Sequence, residues 1–239
     1  MTAPLVLLPG MNCTGDLWRG TGLDTEDGGA IRPVLDRPAL RDQVDALLRD
    51  LPPRVVLVGH SLGGIVAMAL AIAAPERVDG LCLVSTNAKA PTAAQRDGWR
   101  AWIERLDDGV SPRALQGEIL EPLLGAEVAA TRSDLVERTL GMGDATGAAV
   151  LRAQLELQLT RVDLLSRLSS LRIPTLAVSG IDDVICPPRF HTEIVAEIEG
   201  ARLVSLDAGH LLPVERPREF GDLVRSWRSQ QLRPAAVGA

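Results

Sequence analysis

The sequence contains no tyrosine and only two phenylalanines among its 239 residues. A ligand cage built of aromatic side chains is therefore disfavoured, and an aliphatic or mixed pocket is expected. The three cysteines, Cys13, Cys82 and Cys186, form neither a C-x-x-C pair nor a zinc-binding pattern. Their number and spacing exclude a disulfide scaffold and a cysteine metal site, and they favour buried, inert thiols in a reducing cytoplasm.

Long apolar runs and long basic runs are also missing. No apolar stretch reaches the ~20 residues that cross a bilayer, and the opening M-T-A-P-L has no basic leader, so we expect neither a membrane span nor a signal peptide. The net charge is −6 and the pI is about 5.2, which argues against nucleic acid and anionic membranes as partners. Hydrophobic residues at 46% and charged residues at 23% are typical of a globular domain.

Short apolar runs alternate with stretches of helical length. Continuous apolar runs are typical of strands covered on both faces, and apolar stripes spaced by three and four residues predict helices. This alternation predicts an α/β fold: a mostly parallel open sheet of about six strands, flanked by helices. Strands are predicted at 5–8, 54–58, 80–85, 173–179 and 201–206, with a weaker candidate at 31–35, and helices at 38–51, 62–74, 188–198 and 217–229.

Residues 88–165 interrupt this alternation, because they contain no convincing strand and carry helical stripes. They are too long for a simple crossover, so we expect a helical cap inserted into a core made of 1–87 and 166–239. Ligands bind at the carboxyl edge of such sheets, and we expect the cap to cover that edge. Trp99 and Trp102 either line a substrate pocket or pack between helices, and packing is the expected role.

The pentapeptide G-H-S-L-G at 59–63 fits the pattern G-x-S-x-G between a predicted strand and a predicted helix. A serine on such a sharp turn takes a strained backbone conformation, and small residues two positions away let the strand and the helix pass closely. The start of the helix favours negative charge beside it. Ser61 is therefore a predicted nucleophile; the alternative is a glycine-rich turn in which it caps the helix.

A serine nucleophile needs a base, and the chain has three histidines. His60 adjoins Ser61 within the turn, where neighbouring side chains diverge. His191 falls early in a predicted helix, where we expect a surface position. His210 follows a predicted strand and so lies at the same carboxyl edge as Ser61. His210 is the predicted general base, with a histidine that merely caps the next helix as the alternative.

A carboxylate that orients the base completes such a site. Asp182 and Asp183 follow the strand predicted at 173–179, again at the carboxyl edge of the sheet. The residues alone leave both aspartates open.

Several segments resemble motifs of the α/β-hydrolase superfamily, and the chain as a whole resembles its small serine esterases. G-H-S-L-G-G at 59–64 resembles the nucleophile elbow, and G-H at 209–210 followed by E-R-P at 215–217 resembles G-H-x-x-x-x-E-x-P. G-I-D-D at 180–183, followed by a proline, resembles G-x-x-D-x-x-x-P. That resemblance selects Asp183 rather than Asp182 as the acid, in the chain order serine, aspartate, histidine.

The segment L-L-P-G-M at 7–11 resembles the first oxyanion segment of this superfamily, with proline where histidine is usual. The resemblance implies that the backbone amides of Met11 and Leu62 bind the oxyanion. Asn12 and Cys13 come next in the chain, and for them packing is expected rather than contact with the pocket.

These residues predict a serine hydrolase that cleaves an ester or thioester of a small organic substrate through an acyl-enzyme, with no metal or other cofactor. Two alternatives stay open. The same groups could serve another reaction, such as C–C hydrolysis, lactonisation or elimination in a biosynthetic pathway. The chain could also be a non-catalytic binding protein on this scaffold, because a fold does not determine a function.

Overall fold

The computed structural model describes residues 3–23 and 29–231. Within these ranges the strands form one sheet, in which every neighbouring pair is parallel and the strand order follows the chain order. The predicted α/β fold class is therefore confirmed. The strands are β1 (Leu5–Leu8), β2 (Val55–His60), β3 (Val78–Val84), β4 (Thr175–Gly180) and β5 (Arg202–Leu206).

The weaker strand candidate at 31–35 is present as a single parallel bridge between Ile31 and Val6. The Leu7 amide donates to the Ile31 carbonyl, and the Ile31 amide donates to the Leu5 carbonyl, both at 2.9 Å. Pro33 has no N–H, so the ladder cannot continue through it. In the described part of the chain, the sheet thus consists of five strands and this bridge.

Helices separate and follow the strands, and their bounds agree closely with the predicted ones in the core. They are α1 (Leu40–Asp50), α2 (Leu62–Ala73), α3 (Ala93–Asp107), α4 (Pro112–Gly117), α5 (Leu120–Leu124), α6 (Ala126–Thr131), α7 (Ser133–Thr146), α8 (Ala148–Leu159), α9 (Pro188–Glu197), α10 (Leu212–Glu215) and α11 (Pro217–Gln231). The predicted core also includes residues 1, 2, 24–28 and 232–239, which lie outside the described residues.

The two faces of the sheet carry separate apolar clusters. Val6 and Leu8 of β1 belong to the cluster that includes α1, α2 and α9. Leu5 and Leu7 belong to the opposite cluster, to which α11 contributes Phe220, Val224 and Trp227. Successive residues of β1 therefore point to opposite faces, and both faces are covered, which explains why β1 and β2 are buried and almost entirely apolar. At the edge of the sheet, β5 is only partly buried and includes exposed Arg202 and Ser205.

The six helices from α3 to α8 lie between β3 and β4, in the helical segment, residues 88–165. This segment is described completely and contains no strand, as its sequence predicts. Buried Asn12 ties it to the loop after β1: its side-chain amide donates to the Pro112 carbonyl and to Gln116 Oε1, both at 2.9 Å. The Asn12 backbone amide donates to Gln154 Oε1 at 2.8 Å. Asn12 thus packs between core and helices, as expected.

The three cysteines are buried and form no disulfide. Burial raises the pKa of Cys13 to about 12 and raises that of Cys82 as well, so both thiols stay protonated near neutral pH. Across residues 3–23 and 29–231, no helix has both the length and the apolar character needed to cross a bilayer.

Helix α2 crosses β2 at Gly59 and the end of β1 at Gly63. A Cβ atom added to Gly59 would lie 2.5 Å from the Gly63 carbonyl oxygen, and a Cβ added to Gly63 would overlap the Leu8 carbonyl oxygen. In both cases the obstacle is backbone, which cannot move aside as the end of a flexible side chain can. The crossing therefore requires glycine at both positions.

Gly63→Ala is expected to lower the free energy of unfolding by about 2–4 kcal/mol, or to prevent folding, because β1 would have to shift to admit the methyl group. Urea denaturation measures this effect. Gly98→Ala is the matched control, since Gly98 is exposed in α3 with no atom within 4 Å of an added Cβ. Alanine there should stabilise the helix by up to about 1 kcal/mol. Equal destabilisation by both substitutions would contradict the role of the crossing.

Candidate active site

Ser61 occupies the turn between β2 and α2, with φ +50° and ψ −113°. A positive φ is strained for a residue that has a Cβ atom. The turn is held by a hydrogen bond from the Ser61 amide to the Val84 carbonyl at 2.9 Å and by two bonds from Gly64 and Ile65 to the Ser61 carbonyl. The strained turn brings the partly exposed serine to the start of α2, where the helix dipole favours negative charge.

His210 connects Ser61 to Asp183. Its Nε2 atom lies 3.1 Å from Ser61 Oγ, and its Nδ1 atom lies 2.9 Å from Asp183 Oδ2. Asp183 and the His210 side chain are almost completely buried. In the neutral imidazole this geometry favours the tautomer in which Nδ1–H donates to the carboxylate and Nε2 accepts from the serine hydroxyl. The structure therefore brings three of the predicted residues into one hydrogen-bonded line.

The Asp183 carboxylate is held from both sides. While Oδ2 faces His210, Oδ1 accepts hydrogen bonds from the backbone amides of Ile185 at 2.9 Å and Cys186 at 2.8 Å. Burial alone raises the pKa of Asp183, but His210 and these two donors outweigh it and hold the pKa below its usual range. Asp182, the alternative considered from the sequence, is exposed, and the aspartate bonded to His210 is Asp183.

The loop that carries His210 is fixed by two groups. The Gly209 amide donates to both carboxylate oxygens of Glu215 at 3.1 Å, and His60 Nε2 donates to the His210 carbonyl at 2.9 Å. Burial, together with the nearby His210, lowers the pKa of His60 to about 3, so His60 is neutral. Burial raises the pKa of Glu215 to about 7. His60 therefore touches the backbone of His210 and makes no hydrogen bond with Ser61.

The backbone amides of Met11 and Leu62 lie on the two segments next to Ser61. Met11 lines the same cavity as Ser61 and His210, and Leu62 is the first residue of α2. In the described part of the chain, neither amide donates a hydrogen bond to a protein acceptor. Within the described residues, both N–H groups thus lack a protein acceptor, as the donors of an oxyanion site must.

A cavity of about 160 Å³ opens onto Ser61 and His210. The core contributes apolar atoms of Met11 and Cys13, so Cys13 faces the cavity although packing was expected of it. The helical segment supplies a further set of lining residues, which are Gln95, Trp99, Ile119, Leu123, Gln158 and Arg161. The site is thus enclosed by both parts of the chain.

One prediction about a side-chain position is wrong, and a second is right only in part. His191 was expected on the surface, but it is fully buried, and its Nε2 accepts a hydrogen bond from the Thr86 amide at 3.0 Å. Trp99 was expected to pack between helices; it does contact the small apolar cluster of the helical segment, yet it also lines the cavity. Trp102 contacts the same cluster, as expected.

The residue that sequence reasoning missed is Arg161, which follows α8 and lines the cavity while only 5% exposed. The sequence does not single out Arg161 as a site residue, because the chain has 25 lysines and arginines. Its burial depends on tertiary contacts, which include those with Asn87, Lys89 and Trp99.

The sequence profile of the alpha/beta hydrolase family matches residues 5–223 of the chain. Among curated proteins, the pimeloyl-[acyl-carrier protein] methyl ester esterase of Pectobacterium carotovorum is 30% identical over 164 residues, which are 62% of this chain and 60% of that protein. The proposed carbamate hydrolase RutD of Rhizobium rhizogenes is 30% identical over 208 residues, which are 85% of this chain and 76% of that protein.

Solved structures show the same architecture. A thermophilic esterase from Thermogutta terrifontis, with malate bound, superposes with a TM-score of 0.85 at 25% identity. The match covers 95% of this chain and 90% of that one.

The burial of His191 predicts how the stability of the fold depends on pH. Burial lowers its pKa from the ordinary 6.5 to about 4, so between these values the unfolded chain binds a proton that the folded chain does not. Stability is therefore expected to fall as the pH drops from 6.5 to 4, by up to roughly 3 kcal/mol for this residue. His60 acts in the same direction over a wider range.

His191→Gln keeps a side-chain oxygen for the Thr86 amide but cannot titrate. Urea denaturation at intervals from pH 4.5 to 8 should show a shallower decline for this variant below pH 6.5, while above pH 7 the two proteins should respond to pH alike. Parallel curves below pH 6.5 would show that His191 does not titrate as its burial requires.

Proposed function

Because the chain belongs to the alpha/beta hydrolase family, we propose that it is a serine hydrolase acting on an ester or thioester of a small organic substrate. Ser61 is the nucleophile, His210 the general base and Asp183 the acid that orients it. The observation that carries this proposal is the unbroken line of hydrogen bonds from Ser61 Oγ through His210 to Asp183, at 3.1 and 2.9 Å.

The reaction begins when Ser61 Oγ attacks the carbonyl carbon and His210 Nε2 takes the hydroxyl proton. Ionised Asp183 stabilises the resulting imidazolium. The imidazolium then gives its proton to the leaving alcohol or thiol, which departs and leaves an ester on Ser61. A water molecule, deprotonated by His210, hydrolyses that acyl-enzyme and restores the site. The sequence of steps uses neither a metal nor another cofactor.

Each tetrahedral intermediate carries a negative charge on the former carbonyl oxygen. We assign the amides of Met11 and Leu62 to this oxygen, since both lie beside Ser61 and neither is engaged within the described residues. A single donor of this kind typically contributes about 100- to 1,000-fold in rate.

The helical segment, residues 88–165, acts in this proposal as a cap on a core made of 1–87 and 166–239. Six of the residues that line the cavity belong to it, and they determine which substrates fit. The named relatives are consistent with this chemistry, because an ester and a carbamate both present a carbonyl carbon bonded to a leaving group.

Ser61→Ala is expected to lower turnover of 4-nitrophenyl acetate by about 10³- to 10⁶-fold, because the nucleophile is removed while the fold is kept. A fluorophosphonate should label the wild type at one serine and leave Ser61→Ala unlabelled. Ser169→Ala, at an exposed serine, should behave as the wild type. Undiminished turnover or labelling of Ser61→Ala would refute the nucleophile assignment, and labelling without hydrolysis of any ester would favour another reaction at the same site.

Asp183→Asn should lower kcat by about 10³- to 10⁴-fold, since an amide cannot stabilise the imidazolium and holds the imidazole in the wrong tautomer. Asp182→Asn is the matched control, one residue away and exposed, and should leave kcat within about twofold of the wild type. A larger loss in Asp182→Asn than in Asp183→Asn would reverse the assignment.

A further inference from the structure

Arg161 is a buried cation in the cavity that contains Ser61 and His210. It follows α8 at the end of the helical segment, and only 5% of it is exposed. Trp99 also lines the cavity, and the centroid of its ring lies 5.6 Å from the Arg161 Cζ atom. The guanidinium is thus held in place against an aromatic face.

All protein acceptors of the Arg161 guanidinium are neutral. It donates to Gln158 Oε1 at 2.7 Å, to the Lys89 carbonyl at 2.8 Å and to Asn87 Oδ1 at 3.3 Å. Its Nε atom is buried and has no hydrogen-bond partner. Among residues 3–23 and 29–231, no carboxylate pairs with it. By contrast Arg138, another little-exposed arginine, forms an ion pair with Asp16 at 3.0 Å.

A buried charge without a counter-ion is costly, and proteins seldom keep one without a use for it. Burial, opposed by Cys186 and supported by neighbouring Arg96, lowers the pKa of Arg161 to about 10, and that value leaves the guanidinium protonated near neutral pH. The cavity therefore has a permanent positive charge in a place where water screens little. An anion that enters the cavity can pair with the Arg161 guanidinium, which has no carboxylate partner among the described residues.

We propose that Arg161 binds a carboxylate of the substrate, so that the enzyme prefers esters that carry a second, anionic group. This inference rests on the proposed function of Ser61, since it names the substrate class of that same site. A carboxylate suits the planar guanidinium and the small cavity of about 160 Å³. The carboxylate belongs either to the acyl part or to the alcohol part of the ester.

Two pairs of esters distinguish a carboxylate on the acyl part from a carboxylate on the alcohol part. Monomethyl adipate and methyl hexanoate differ only in a terminal carboxylate or methyl on the acyl side. Carboxymethyl acetate and ethyl acetate differ in the same way on the alcohol side. The ratio of kcat/KM for the anionic ester to that for its neutral partner measures the preference, and a change in fold alone affects both members of a pair.

The wild type should favour the anionic member of one pair, and the pair that shows the preference identifies the side. Arg161→Gln should reduce that ratio by about 10- to 100-fold, as expected for a charge-assisted hydrogen bond. Arg161→Lys should keep part of the preference. Arg152→Gln removes the same charge from the outer side of α8, where Arg152 pairs with Asp107 and Glu156, and should keep all of it.

Binding of adipate by calorimetry gives a readout that does not depend on turnover. The wild type should bind adipate at least tenfold more tightly than Arg161→Gln does. Equal binding, no anionic preference in the wild type, or a preference that survives in Arg161→Gln would overturn the proposal. Tighter binding of inorganic phosphate than of adipate would also overturn it. If adipate binds through Arg161 but no ester is hydrolysed, the proposed function fails and the carboxylate site stands.

Discussion

Parallel pairing of the strands is the constraint on which the whole site depends. Because the five strands of the described sheet run the same way, their carboxyl ends meet at one edge, and the loops that follow β2, β4 and β5 meet there too. Those loops carry Ser61, Asp183 and His210, so residues 149 positions apart in the chain come within hydrogen-bonding distance. The sheet positions the three groups, and local contacts such as Glu215 to Gly209 set their final orientation.

Most of this arrangement is predictable from the sequence, because it depends on local signals. Apolar runs identify the strands, and the glycines around Ser61 identify the sharp turn that the structure contains. His210 is found because the loops that follow parallel strands all lie at one edge of the sheet. The same rule leaves Asp182 and Asp183 open, and the resemblance to G-x-x-D-x-x-x-P selects Asp183. The strand predicted at 31–35 shortens to a bridge at Ile31, since a proline two residues later interrupts the ladder.

The rest depends on tertiary packing, which leaves no local signal. His191 lies on a helix whose sequence does not show which side faces the sheet, and the structure buries it completely. In the sequence, Arg161 is one basic residue among many. In the folded chain, it is almost completely buried. Its burial also creates an asymmetry. The acidic group of the site, Asp183, is paired with His210, whereas within the described residues Arg161 donates hydrogen bonds only to neutral oxygens.

The hydrogen bonds of Asn12 have a mechanical consequence. Asn12 is bonded to α4 and α8 through both its side chain and its backbone, and it directly follows Met11, whose amide faces the reacting oxygen in the proposed mechanism. One residue therefore separates the Asn12 amide, which α8 holds, from the Met11 amide. In the proposed mechanism, α8 contributes Gln158 to the cavity and also helps to fix the position of one oxyanion donor.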